Sequence, residues 1–171
     1  MALGFPSVAG ALVPQSMPHP FHYGMFGNDV VDDCSEVASA NLTIHEFHDA
    51  RITTAQVETA WQLTQGWTDA ANTYMETTGF GGHTIKAVIP VTTQAQMIHY
   101  ANEGGVWAEF FGPSLAAPQW MHDVAVIGAN ASQITYVTGG EVVSESWAQW
   151  DTRFTFTNGN IVDYAYAYIW N

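Results

Sequence analysis

The order in which helical and extended segments follow one another constrains this chain more than any other feature. Up to about Asn102 the sequence is punctuated for helices. From Gly105 it becomes a series of β-branched and aromatic runs, GVWAEFF, HDVAVIGAN and SQITYVTGG, separated by turn residues. Helices first and antiparallel strands afterwards predict an α+β domain. Small and apolar residues from Ser35 to Asn41 predict a helix that begins at or just after Cys34 and runs through LTIHEFHD to about Asp49. Thr53 is suited to cap a helix carrying Val57, Trp61 and Leu63 and closed by Gly66. A further helix is expected from Asp69 to Thr77, a strand over TIKAVIPV, and a helix from about Thr93 to Asn102 with Thr92 as its cap. Ser146-x-x-Gln149 has the form of a capping box, and Asn158-Gly159 between two alternating runs predicts a hairpin.

A length of 171 residues suits one sizeable core and is short for two. Residues 1–26 carry four of the seven prolines and little periodicity, so they are expected to form an extended arm laid over the domain or reaching to a neighbour, with residues 27–171 as a single domain. The net charge of −13 reflects missing base: Arg51, Lys86 and Arg153 stand against 16 Asp and Glu. Nucleic-acid partners, which are held by cationic neutralisation of phosphate, are excluded on that ground. No apolar run reaches membrane-spanning length, and the apolar start lacks the basic region of a signal peptide. A soluble protein is expected, with a virion or extracellular setting suited to its Thr-, Gln-, Asn- and Ser-rich surface at least as well as cytosol.

The single cysteine, Cys34, excludes an intrachain disulfide and a thiolate-rich zinc site. His45, His48 and Asp49 in HEFHDA have helical spacings at which two imidazoles could share a face, yet they lack the His-Glu-x-x-His spacing, and no metal or other cofactor is expected. His83 follows a glycine-rich turn without a phosphate-loop Lys, which argues against nucleotide binding. Asn41-Leu-Thr43 and Asn130-Ala-Ser132 match the glycosylation acceptor pattern.

Cys34 itself is surrounded by acid: Asp29, Asp32, Asp33 and Glu36 lie within five residues of it. Negative charge disfavours the thiolate that a nucleophile needs. Even so, three requirements of a papain-type site coincide in order. Cys34 precedes a helix-compatible run, whose dipole favours thiolate. Asn28, six residues upstream, offers an amide for an oxyanion, and His122 opens a late apolar strand as a base.

MFGNDVVDDC, ARITTAQVETAWQLTQGW, TTGFGGHTIKAV, HDVAVIGAN, YVTGG and DYAYAYI together resemble a group of papain-like cysteine peptidase-like proteins of bacteria and their phages, over nearly the whole chain. The resemblance implies a papain-like fold in which a nucleophile helix packs on a C-terminal antiparallel sheet. It also implies Cys34 as nucleophile, His122 as base, Asn28 in the oxyanion hole, and a peptide or protein amide as substrate. For the residue that orients the imidazole, Asn130 and Thr138 are the nearest by order, and neither is assigned.

Departures from the group's pattern motivate a second expectation. Asp32 replaces a glycine two residues before the cysteine, the GPSLAAPQWM segment before His122 is short, and Thr138-Gly139-Gly140 replaces Thr-Trp-Gly. The alternative is a catalytically weak or inactive papain-shaped subunit of a phage particle or extracellular assembly. It would form homo-oligomers or other assembly contacts through the arm of residues 1–26.

Overall fold

The computed structural model describes residues 22–29, 32–48, 51–112, 114–116, 120–156 and 165–171. Most of the expected arm, Asp49 and the Asn158-Gly159 turn lie outside the described residues. The elements in chain order are α1 (Cys34–Glu46), α2 (Thr54–Thr64), α3 (Thr68–Thr77), β1 (Ile85–Pro90), α4 (Gln94–Ala101), β2 (Val106–Gly112), β3 (Trp120–Ala129), β4 (Gln133–Thr138), β5 (Glu141–Ser146), α5 (Trp147–Trp150) and β6 (Ala165–Trp170). The six strands form one antiparallel sheet in the order β1-β6-β2-β3-β4-β5. The chain is therefore α+β.

Local chemistry accounts for the helix ends. Thr53 caps α2 through a full capping box with Gln56, and Ser146 with Gln149 does the same for α5. The start of α4 falls one residue later than the sequence suggests. Thr93 is its N-cap and accepts from Gln96 N at 3.2 Å, while Thr92 N–H donates to Gln96 Oε1 at 2.9 Å. Both threonines serve the same turn. Helix α1 ends at Glu46, so the helical spacing of His45 and His48 does not hold, and the His45 ring is bonded to Tyr23 Oη at 3.0 Å instead.

The hairpin expected at Asn158-Gly159 falls on residues outside the described ones. Strand β6 lies between β1 and β2 and pairs with both, and Phe154–Phe156 lie outside any strand. Phe154 packs instead into the core against Trp150, at 5.1 Å between rings.

The sheet is covered on both faces. On one, Val37, Leu42, Val57 and Met75 of α1–α3 meet Trp107, Ala125, Ile127, Val137 and Tyr168. On the other, Met97 and Ala101 of α4 with Trp147 and Trp150 of α5 meet Val106, Phe110, Val124, Val126 and Tyr136. Helix α1 lies along β3 and is buried from Ser35 to Ile44. Three of its polar residues are satisfied internally: Ser39 Oγ donates to Ser35 O at 2.9 Å and contacts Tyr168 Oη at 2.8 Å. Thr43 Oγ1 donates to Ser39 O at 2.9 Å. Asn41 clasps Gly24 with both ends of its amide, which pins residues 22–26 to the helix and removes Asn41 from glycan chemistry.

Leu42 is the centre of this packing. It is fully buried, and a Cβ on Gly105, whose φ is +87°, would come within 2.4 Å of its Cδ2. The glycine lets the chain enter β2 directly beneath the helix. Leu42→Ala is expected to cost about 2–5 kcal/mol, measured as the shift in urea unfolding at 25 °C.

Candidate functional site

Cys34 is the first residue of α1, and strand β3 supplies the group that faces it. The Cys34 thiol donates to Asp123 Oδ2 at 3.4 Å, and the Ser35 hydroxyl donates to the same oxygen in a short hydrogen bond. The His122 imidazole has other partners: Nε2 lies 2.9 Å from Thr138 Oγ1, and the ring meets Phe110 edge-on at 5.7 Å and Trp120 at 6.2 Å.

The physical reason is strand alternation. Asp123, Ala125 and Ile127 project toward α1, while His122, Val124 and Val126 project to the face that α4 and α5 cover. His122 pairs across the strands with Phe110, and Asp123 with Glu109. The described contacts therefore bring Cys34 together with Asp123 and not with His122. Both groups lie at the same end of the sheet, since the Asp32 carboxylate acts electrostatically on each.

Asn28 sits in the turn over Phe26–Asp29, where its backbone N–H closes onto Met25 O at 3.1 Å. Its side-chain amide has no hydrogen-bond partner among the described residues. Asn130 makes the β3–β4 turn, where its Oδ1 accepts from Ser132 N at 2.8 Å and Gln133 N at 3.1 Å. Of the two positions considered for orienting the imidazole, it is Thr138 that touches His122.

The electrostatics around the thiol oppose ionisation. Burial pushes the Cys34 thiol up, and the Asp123 carboxylate and then Asp32 push it further. Burial lowers His122, with Asp32 acting weakly the other way. Asp123 is raised by burial to about 7 against the bond from Ser35, and Glu109 and Glu36 add to the rise. Asp33 is likewise raised by burial to about 7, with Glu36 adding. Glu36 is raised by burial even though Thr64 donates to it.

Among the described residues, both oxygens of Asp33, Oε2 of Glu36 and Oδ1 of Asp123 are buried without a hydrogen-bond partner. Carboxyls in such surroundings hold their protons to higher pH than exposed ones do. Among the described residues, no group of His, Cys, Asp and Glu is arranged to hold a metal ion, and no helix is long and apolar enough to cross a membrane.

Sequence reasoning missed Asp123, which forms the direct contact with the sulfur. The available signal was the alternation of HDVAVI, which puts His122 and Asp123 on opposite faces, so that only one of them can meet α1. Compared with protein-family models, curated protein sequences and solved structures, the chain shows no match.

These buried acids make stability depend on pH. Their folded pKa lies above the unfolded value of 3.8, so between about pH 4 and 7 the folded state holds protons that the unfolded chain has released. Stability is then highest at the acid end and falls as pH rises through 7, by about 1.4 kcal/mol per pH unit for each proton retained. Urea unfolding between pH 4.5 and 8 is expected to show this decline, and Asp123→Asn to make it shallower.

Proposed function

We propose that this chain is a papain-like protein whose thiol site is catalytically silent, and that it serves as a binding or assembly subunit, such as a component of a phage particle or extracellular assembly. The observation that carries the reading is the partner of the sulfur. A papain-type thiol needs an imidazole beside it, to take its proton and stabilise the thiolate as an ion pair. Cys34 has a carboxylate there instead, which accepts a hydrogen bond from the neutral thiol and repels the thiolate. The helix dipole of α1 favours the anion, but by less than burial and like charge oppose it.

The surroundings also suit binding more than catalysis. Met121 lies on the Asp123 face of β3 and is 59% exposed. Trp67, 73% exposed, follows Gly66, whose carbonyl accepts from Ser35 Oγ at 3.5 Å. Both side chains are available to a partner surface.

A thiol hydrolase acting on amide bonds, with Cys34 attacking, His122 as base and Asn28 at the oxyanion, is the second reading. Its support is the position of Cys34 at the first residue of a buried helix lying along the sheet. Alkylation separates the two. With iodoacetamide at pH 7, Cys34 is expected to react no faster than N-acetylcysteine amide; fast labelling, together with amidase activity lost in Cys34→Ala, would establish the hydrolase. Asp123→His places an imidazole at the position beside the sulfur and is expected to accelerate labelling by about tenfold or more.

A further inference from the structure

A cavity of about 250 Å³ opens at the far end of α1, lined by Glu46, Tyr100, Glu103, Gly104, Tyr168 and Trp170, with the Ile169 backbone between the last two. Helix α1 spans 13 residues, so this cavity lies roughly 18 Å from Cys34. We propose that it binds a small organic cation: an alkylammonium group, primary or methylated, carried on a short aliphatic chain.

The lining selects for that chemistry. It holds two carboxylates and no cationic side chain. Glu46 is the last residue of α1, where the carbonyl ends of the helix add negative potential. Among the described residues Glu103 is paired with His99, at 3.5 Å, and both side chains are more than half exposed, so the pair is strongly screened by solvent. An anion entering the cavity would meet repulsion, and a neutral ligand would gain nothing from the two carboxylates.

The aromatic wall is already rigid. Trp170 Nε1 donates to Gly104 O at 3.0 Å, and the indole is met edge-on by Phe47 at 5.2 Å and by Tyr168 at 5.8 Å. Gly104 permits this closure, since a Cβ there would stand 3.1 Å from the indole. An indole in the wall beside two carboxylates suits a cation, which aromatic rings and negative charge both attract. The volume falls just below that of pockets for drug-sized ligands, about 300–1,000 Å³, so the occupant is small or is the end of a side chain.

The test is titration of the full chain with choline, with Nα-acetyl-lysine methylamide and with its trimethylated form, followed by the NMR signal of the Trp170 indole N–H. Trp170→Phe assigns that signal. The expected result is a saturable shift at Trp170 for the cations, about tenfold weaker binding in Glu46→Gln and in Glu103→Gln, and unchanged melting of both variants. Tighter binding of the lysine derivatives than of choline assigns the site to a partner chain, and the reverse assigns it to a free metabolite; either supports the cation. The neutral isostere 3,3-dimethylbutan-1-ol is expected to bind at least about tenfold more weakly than choline. The proposal is overturned if that alcohol binds as tightly as choline, if no cation gives a saturable shift at Trp170, or if the double Gln variant binds undiminished. None of these outcomes depends on whether Cys34 is reactive.

Discussion

The structure depends on burying α1 from Ser35 to Ile44 between the sheet and the other N-terminal helices. A helix in that position can carry polar side chains only if each finds a partner, because an unpaired buried polar group costs roughly the desolvation of that group. Ser39, Asn41 and Thr43 meet the condition through backbone carbonyls, Tyr168 and the Gly24 peptide. Its small residues, Ala38 and Ala40, allow close approach to β3. The condition fails at the N-terminal end, where Asp33, Glu36 and Asp123 keep oxygens without partners. Folding has placed its least favourable electrostatics beside the one thiol in the chain.

What the sequence discloses is what is set locally. The capping threonines and Ser146 are legible because a cap needs only the residue three positions on. The strands of the second half are legible from β-branched and aromatic runs. Which strand pairs with which is not, because β6 reaches back to β1 across some 80 residues of chain. The EVVSES run of β5 carries too many polar residues to announce itself, since it lies at the edge of the sheet with no strand beyond it.

At the site, the same division holds on a finer scale. The placement of Cys34 at a helix start follows from the residues around it. The choice between His122 and Asp123 as its neighbour follows from strand register, and a shift of one residue exchanges the two faces. Both faces of β3 are apolar beyond Asp123 because both are covered, so the sequence offers no contrast of polarity to show which face α1 takes. The acidity around Cys34 was the legible clue: it pointed to a suppressed thiolate before any geometry was known.

The charge balance explains why this suppression is not relieved. Of the three basic side chains, Arg153 is committed to Glu145 and Tyr136 with its guanidinium 4.6 Å from the Phe110 ring centre, while Arg51 and Lys86 lie on the surface. The charged groups acting on Asp33, Glu36 and Asp123 are other carboxylates. Without a nearby cation, holding protons is the least costly way to keep these groups buried, and each one that ionises adds negative charge that disfavours the thiolate. A neutral thiol is also slow to oxidise, so the arrangement that holds the proton on Cys34 also protects it. An imidazole beside the sulfur would have to come from position 123, on the face of β3 that α1 covers, since the one at position 122 bonds Thr138 on the other face.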